Sequence, residues 1–112
     1  MALTRDFKET IFERAKRDKT FRRGMLMRGI ALIVAGDKDD VQTGKSFLRD
    51  YINATIGFAA LSKRTGTPKA SLMRMLGPSG NPGLNNLNQV TRTLLDSEGV
   101  QGADSLKISV QS

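Results

Sequence analysis

The fold is decided by residues 55–76, which read TIGFAALSKRTGTPKASLMRML. This stretch predicts two short helices joined by a tight glycine turn. Leu61 lies five residues before Gly66, Leu72 follows the glycine by six residues, and Met75 follows it by nine. Two helices that cross must bury a shared apolar seam, and these three apolar side chains are spaced to form it. The pattern therefore predicts a helix-turn-helix.

The turn has a suitable residue at each of its positions. Gly66 can adopt the left-handed backbone conformation that ends a helix abruptly. Thr67 is predicted to cap the next helix, and Pro68 is well placed as the first residue of that helix. We expect the supporting helix over about residues 57–65 and the second helix over about residues 68–76.

The second helix has the composition of a DNA recognition helix. Lysine and arginine can pair with guanine, serine can contact several bases, and an apolar side chain can touch a thymine methyl group. The loop that follows, residues 79–81, can contact phosphates through its backbone amides. The predicted DNA-binding residues are Thr67, Lys69, Ala70, Ser71, Met73, Arg74, Ser79 and Asn81.

The charge distribution favours the same partner. The 112-residue chain has a net charge of +7 and a pI of about 10.3, which is typical of proteins that bind a polyanion. Composition alone also fits a basic soluble protein without such a partner. Residues 57–83, however, contain four basic residues and no acidic residue. A surface that contacts DNA phosphates requires such a charge.

The composition excludes several kinds of site. The chain has no Cys and no His, which excludes the usual zinc sites, disulfides, and catalysis by these residues. Residues 43–46, TGKS, mimic the end of a phosphate-binding loop, but Asp39 stands where that loop needs glycine, and the segment is predicted to be mid-helix. The acidic run at residues 37–40 lacks the register of a calcium loop. We expect no enzyme activity, cofactor or metal.

The remaining chain predicts further amphipathic helices, and the fold class is all-α. These helices are expected over about residues 5–17, 19–35, 38–54 and 84–97. Asp18 is predicted to cap the second helix and the acidic run to begin the third. Gly24 and Gly29 either let another helix approach closely or simply weaken their own helix.

One helical domain is expected over residues 1–99, with a C-terminal tail over residues 100–112. The apolar positions predicted on the last helix are Leu84, Leu87, Val90, Leu94 and Leu95. In the tail, the alternation of Leu106, Ile108 and Val110 predicts a possible short strand. The apolar run at residues 25–35 is too short to span a membrane, and the N-terminus lacks a signal-peptide core, so a cytoplasmic protein is expected.

Residues 48–82, LRDYINATIGFAALSKRTGTPKASLMRMLGPSGNP, resemble the addiction-module antidote proteins. These are small helix-turn-helix antitoxins of the lambda-repressor-like (XRE) superfamily, encoded beside RelE/ParE-type toxins. The resembling words are RDYINATIGF, SLMRMLG and GNP, with further likeness in ALTRDFKET and TGKSFLRDYINA, so that about residues 2–99 are covered. The superfamily usually has alanine where this chain has Ser62, and we expect the serine hydroxyl to bond back to the preceding turn.

The resemblance implies a lambda-repressor-like DNA-binding domain of five or six helices with an N-terminal helical extension. It also implies neutralisation of a RelE/ParE-like toxin and repression of the module's own operon. Such toxins are themselves basic, so apolar contacts are favoured, with Met25, Met27 and the tail as candidates. A homodimer is expected, because repressors of this class bind paired half-sites, and the apolar surplus of the second or the sixth helix can supply its contact. Two alternatives remain: an orphan helix-turn-helix regulator, and a protein-interaction module without DNA binding.

Overall fold

A computed structural model describes the backbone of residues 2–100 and the side chains of residues 10–100, and this part of the chain is all-helical. The helices are α1 (Ala2–Arg17), α2 (Lys19–Ala35), α3 (Lys38–Ala54), α4 (Phe58–Thr65), α5 (Lys69–Met75) and α6 (Leu84–Ser97). The all-α prediction is confirmed. The strand predicted from Leu106, Ile108 and Val110 lies outside the described residues.

Aspartates begin α2 and α3, as predicted. The Asp18 carboxylate accepts a hydrogen bond from the Phe21 amide at 3.0 Å. Asp37 and Asp40 form a reciprocal capping box, in which each carboxylate accepts from the other residue's amide, at 2.9 and 3.2 Å. These bonds satisfy amides that have no partner within the helix. The acidic run therefore caps the N-terminus of α3.

Helices α2 and α3 cross where both carry a glycine. A Cβ atom on Gly44 would lie 2.7 Å from the Gly29 carbonyl oxygen, and one on Gly29 would lie 3.0 Å from Leu48. The first distance leaves no room for a side chain and the second is tighter than an ordinary contact, so the glycines allow the two backbones to approach. The prediction that these glycines let another helix approach closely is confirmed at Gly29. It is wrong at Gly24, which has no atom within 4 Å of an added Cβ.

The core runs between all the elements from α1 to α6. Its largest fully buried side chains are Tyr51, Leu26, Leu48, Ile52, Leu61, Leu72, Leu76, Leu94 and Val90. The predicted core position Leu84 is wrong, because this residue is 80% exposed. Leu84 is the first residue of α6, and the side of that helix which enters the core is fully buried only from Val90 onward.

A buried polar cluster ties the end of α6 to α2 and α3. The Glu98 side chain is only 4% exposed, and the Arg22 guanidinium donates from Nε to both of its carboxylate oxygens, at 3.0 and 2.9 Å. The Tyr51 hydroxyl donates to the same carboxylate, and Arg23 donates to the Glu98 carbonyl at 2.8 Å. Burial first, and the Glu98 carboxylate second, raise the pKa of Tyr51 well above its ordinary value of 10. Sequence reasoning did not identify this cluster.

The glycine crossing predicts opposite effects for two alanine substitutions on neighbouring helices. Gly44→Ala should lower the free energy of unfolding by about 1–3 kcal/mol, because its methyl group meets the α2 backbone. Gly24→Ala should raise it by about 0.5–1 kcal/mol, because helix propensity improves in open space. Urea denaturation of both variants measures the two changes. A Gly44→Ala protein as stable as the parent would contradict the crossing.

The buried cluster predicts a loss of stability at alkaline pH. Tyr51 is the only tyrosine, so its ionisation can be followed by tyrosinate absorbance. Because the pKa of Tyr51 is raised in the folded state, its contribution is intact below about pH 10 and is lost progressively above it. Tyrosinate should therefore appear together with the loss of helical circular dichroism. Ionisation near pH 10 in a fully helical protein would show that Tyr51 is not held by this cluster.

Candidate nucleic-acid interface

Helices α4 and α5 form the predicted helix-turn-helix. Gly66 follows α4 in the left-handed conformation, with φ of 74°, and Leu61, Leu72 and Met75 are buried in the seam. These predictions are confirmed. Because the turn is closed by glycine, only three residues separate the end of α4 from the start of α5.

Two details of the predicted turn are wrong. The N-cap of α5 is Pro68, and neither its side chain nor that of Thr67 caps the helix. Proline at this position has the extended ψ of a residue outside the helix, which displaces Thr67 one residue too far upstream to cap. The Ser62 hydroxyl, expected to bond within its own helix, instead donates to the Thr67 carbonyl at 2.7 Å. Ser62 therefore ties α4 to the turn.

The α4–α5 turn is also held from α6. The Gln89 side-chain amide donates to the Thr65 carbonyl at 2.8 Å. The Thr65 hydroxyl donates to the Leu61 carbonyl at 2.9 Å and lies 3.3 Å from the Thr67 amide, whose hydrogen bond it accepts. Thr65 is buried, so its polar group is satisfied within the turn. These bonds fix the angle between α4 and α5.

The outward side of α5 is where the sequence predicted it. Lys69, Ala70, Met73 and Arg74 are exposed, and Ser71 is half-buried. Met73 is 50% exposed, so an apolar side chain accompanies the two cations on this side of the helix. A short basic helix with one exposed apolar side chain thus projects from the domain.

A groove of about 320 Å³ runs between α5, the following loop and the start of α6. Five of the eight predicted DNA-binding residues line it, namely Thr67, Ser71, Arg74, Ser79 and Asn81. The other three, Lys69, Ala70 and Met73, are on α5 but outside the groove lining. Asn86, at the start of α6, lines the groove from the opposite side and was missed. The run Asn85-Asn86 after a Pro-Gly break was the available signal.

The basic side chains around this surface differ in whether they pair with a carboxylate. Arg64 pairs with Asp96 at 2.9 Å, so one of the four cations in residues 57–83 is partly neutralised by α6. The ion pairs of the described side chains include no carboxylate partner for Lys63, Lys69 or Arg74. The positive charge available on the helix-turn-helix therefore lies mainly on α5 and on the outer side of α4.

Two wider clefts lie elsewhere. One, of about 680 Å³, is lined by residues of α1, α2, α3, α4 and the end of α6, including Lys16, Lys19 and Arg22. The other, of about 630 Å³, lies along α6 beside Arg64 and Arg92. Within residues 10–100, no three Asp, Glu, His or Cys side chains are grouped to hold a metal ion. Neither cleft contains any of the predicted DNA-binding residues.

No family model matches the chain, and comparisons with curated proteins and with solved structures find no significant match. Of the helices in the described part of the chain, none combines the length and apolar character needed to cross a membrane.

Proposed function

We propose that this chain is a sequence-specific, double-stranded DNA-binding protein in which α5 enters the major groove. The observation that carries this proposal is the outward side of α5, which is basic, free of carboxylates and preceded by a turn that Ser62 and Gln89 hold through hydrogen bonds. Seven helical residues extend over about 10 Å, which matches the major-groove width of about 12 Å. The short helix can therefore be presented to base edges by the rest of the domain.

The outward residues divide into base-reading and backbone-contacting groups. Lys69 and Arg74 can donate to guanine O6 and N7, and Ala70 and Met73 can contact thymine methyl groups. Thr67, Ser79 and Asn81 line the groove beside Arg74 and are suited to phosphate oxygens, which fix the register of α5 on the duplex. Ser71, half-buried at the groove wall, can reach either kind of atom.

We further propose that the protein is a cytoplasmic antitoxin that neutralises a RelE/ParE-like toxin and represses its own operon as a homodimer. The support for the toxin is the resemblance in residues 48–82. Two half-sites about 34 Å apart would accommodate a symmetric pair of α5 helices. Exposed apolar side chains suited to a protein partner are Val34, which is 72% exposed, and Leu84. Met25 is buried and is not available for such a contact, and Met27 is half-buried.

Substitution of the base-reading cations should abolish operator binding without unfolding the domain. Lys69→Ala with Arg74→Ala should weaken binding to the protein's own upstream DNA by at least about 100-fold, because each bidentate contact discriminates by about 1–3 kcal/mol. Fluorescence anisotropy at about 0.15 M salt measures the loss, and circular dichroism checks the melting temperature.

A matched control removes the same charge from a distant surface. Lys19→Ala with Arg28→Ala, both exposed on α2, should change affinity by much less. If the α5 and α2 variants bind equally well, α5 does not read DNA. A neighbouring small basic toxin gene, and rescue of growth on co-expression, would support the antitoxin role. If neither the toxin gene nor growth rescue is found, DNA binding would favour an orphan regulator. A lack of DNA binding would then favour a protein-interaction module.

A further inference from the structure

We propose that Lys45, assisted by Arg49, is a positioning residue of the DNA interface, which acts on DNA through the loop that follows α5. This inference rests on the proposed function. It assigns a role to the TGKS segment, whose lysine resembles that of a phosphate-binding loop but lies in the middle of α3.

Lys45 is buried, although lysine is rarely so. The residue is only 2% exposed, and its ammonium group donates to the carbonyl oxygens of Gly77, at 3.3 Å, and of Gly80. The ion pairs of the described side chains include no carboxylate for it. A buried charge is costly unless its hydrogen bonds are satisfied, so the two loop carbonyls are what make this position of Lys45 stable.

Arg49 extends the same contact by one helical turn. Its guanidinium donates to the Leu76 carbonyl, directly after the last residue of α5. Because residues four apart lie on one helix face, Lys45 and Arg49 reach α5 from the same side of α3. The last carbonyls of a helix have no partner within it and carry the negative end of the helix dipole. Arg49 therefore holds the C-terminal end of α5, while Lys45 holds the loop that follows it.

The loop from residue 77 to residue 81 lies flat on this end of α5. The Gly80 amide donates to the Gly77 carbonyl at 3.1 Å. A Cβ atom on Gly80 would lie only 2.1 Å from the Arg74 carbonyl oxygen, so the loop backbone is in direct contact with the last turn of α5. The same loop places Ser79 and Asn81 on the wall of the groove beside Arg74.

The geometry gives Lys45 an indirect route to DNA. Its ammonium group is covered by the loop and cannot touch a duplex, yet it binds the carbonyls on both sides of Ser79. Removing the ammonium group releases those carbonyls and the loop that carries two proposed phosphate contacts. The expected consequence is a loss of register on DNA that exceeds any loss from one unit of charge.

The test is a double-mutant cycle on duplex DNA that the parent protein selects from a random-sequence library. Lys45→Met keeps the aliphatic stem and removes the donors, and Asn81→Ala removes one loop contact. Lys38→Met, exposed in the first turn of α3, is the control of equal charge. Lys45→Met should weaken binding about tenfold. It should also make the slope of log affinity against log salt shallower, by the amount expected for the loss of about one to two phosphate contacts. Lys38→Met should bind as the parent does.

The energetic coupling between Lys45→Met and Asn81→Ala distinguishes a positioning role of Lys45 from a merely structural or electrostatic one. Asn81→Ala should weaken the parent several-fold but should have no further effect in the Lys45→Met background, since both act through one loop. The Gly80 amide should also exchange its hydrogen faster in Lys45→Met. Effects that multiply independently, or Lys45→Met binding equal to Lys38→Met, would overturn the proposal.

Two further outcomes remain decisive. If Lys45→Met does not fold, Arg49→Met, whose site is half-buried, takes its place in the same cycle with the same criteria. If the parent itself selects no sequence, the proposed function fails and the positioning role fails with it. Selective DNA binding by the parent with independent loop and Lys45 effects would overturn the positioning role alone.

Discussion

The close approach of α2 and α3 at Gly29 and Gly44 is the constraint on which the rest of the structure depends. Because these backbones nearly touch, α3 lies in the middle of the domain and makes different contacts along its length. Lys45 is the residue after the crossing glycine and reaches the loop that follows α5. Tyr51, almost two turns further on, reaches Glu98 at the end of α6. A larger residue at the crossing would displace both contacts together.

The turn before α5 and the end after it are held by polar bonds from other helices. Ser62 and Gln89 hold the turn before α5, and Lys45 with Arg49 holds the end after it. A helix of seven residues is too short to be stable alone, so its orientation must come from such contacts. In the proposed function, DNA reading by α5 would therefore depend on residues that do not themselves face the duplex.

The sequence predicted what local chemistry determines and missed what depends on packing. The six helices, the Asp18 and Asp37 starts and the left-handed Gly66 follow from periodicity, capping preferences and backbone freedom. The predicted hydrogen bond of the Ser62 hydroxyl to the preceding turn of its helix was wrong, because its acceptor lies across the α4–α5 turn. Buried Lys45 and Glu98 could not be predicted, since their partners are 32 to 76 residues away along the chain.

Several cations bind other groups of the protein itself, and this weakens the net charge of +7 as support for DNA binding. Lys45 and Arg49 bind backbone carbonyls and Arg22 binds Glu98, so these groups are not free to neutralise phosphates, and Arg64 is partly neutralised by Asp96. Overall charge is thus weak support for a nucleic-acid partner in this chain. Stronger support comes from placement, because the cations of α5 face outward on a carboxylate-free helix, while Arg49 and Lys45 hold the end of that helix and the loop after it.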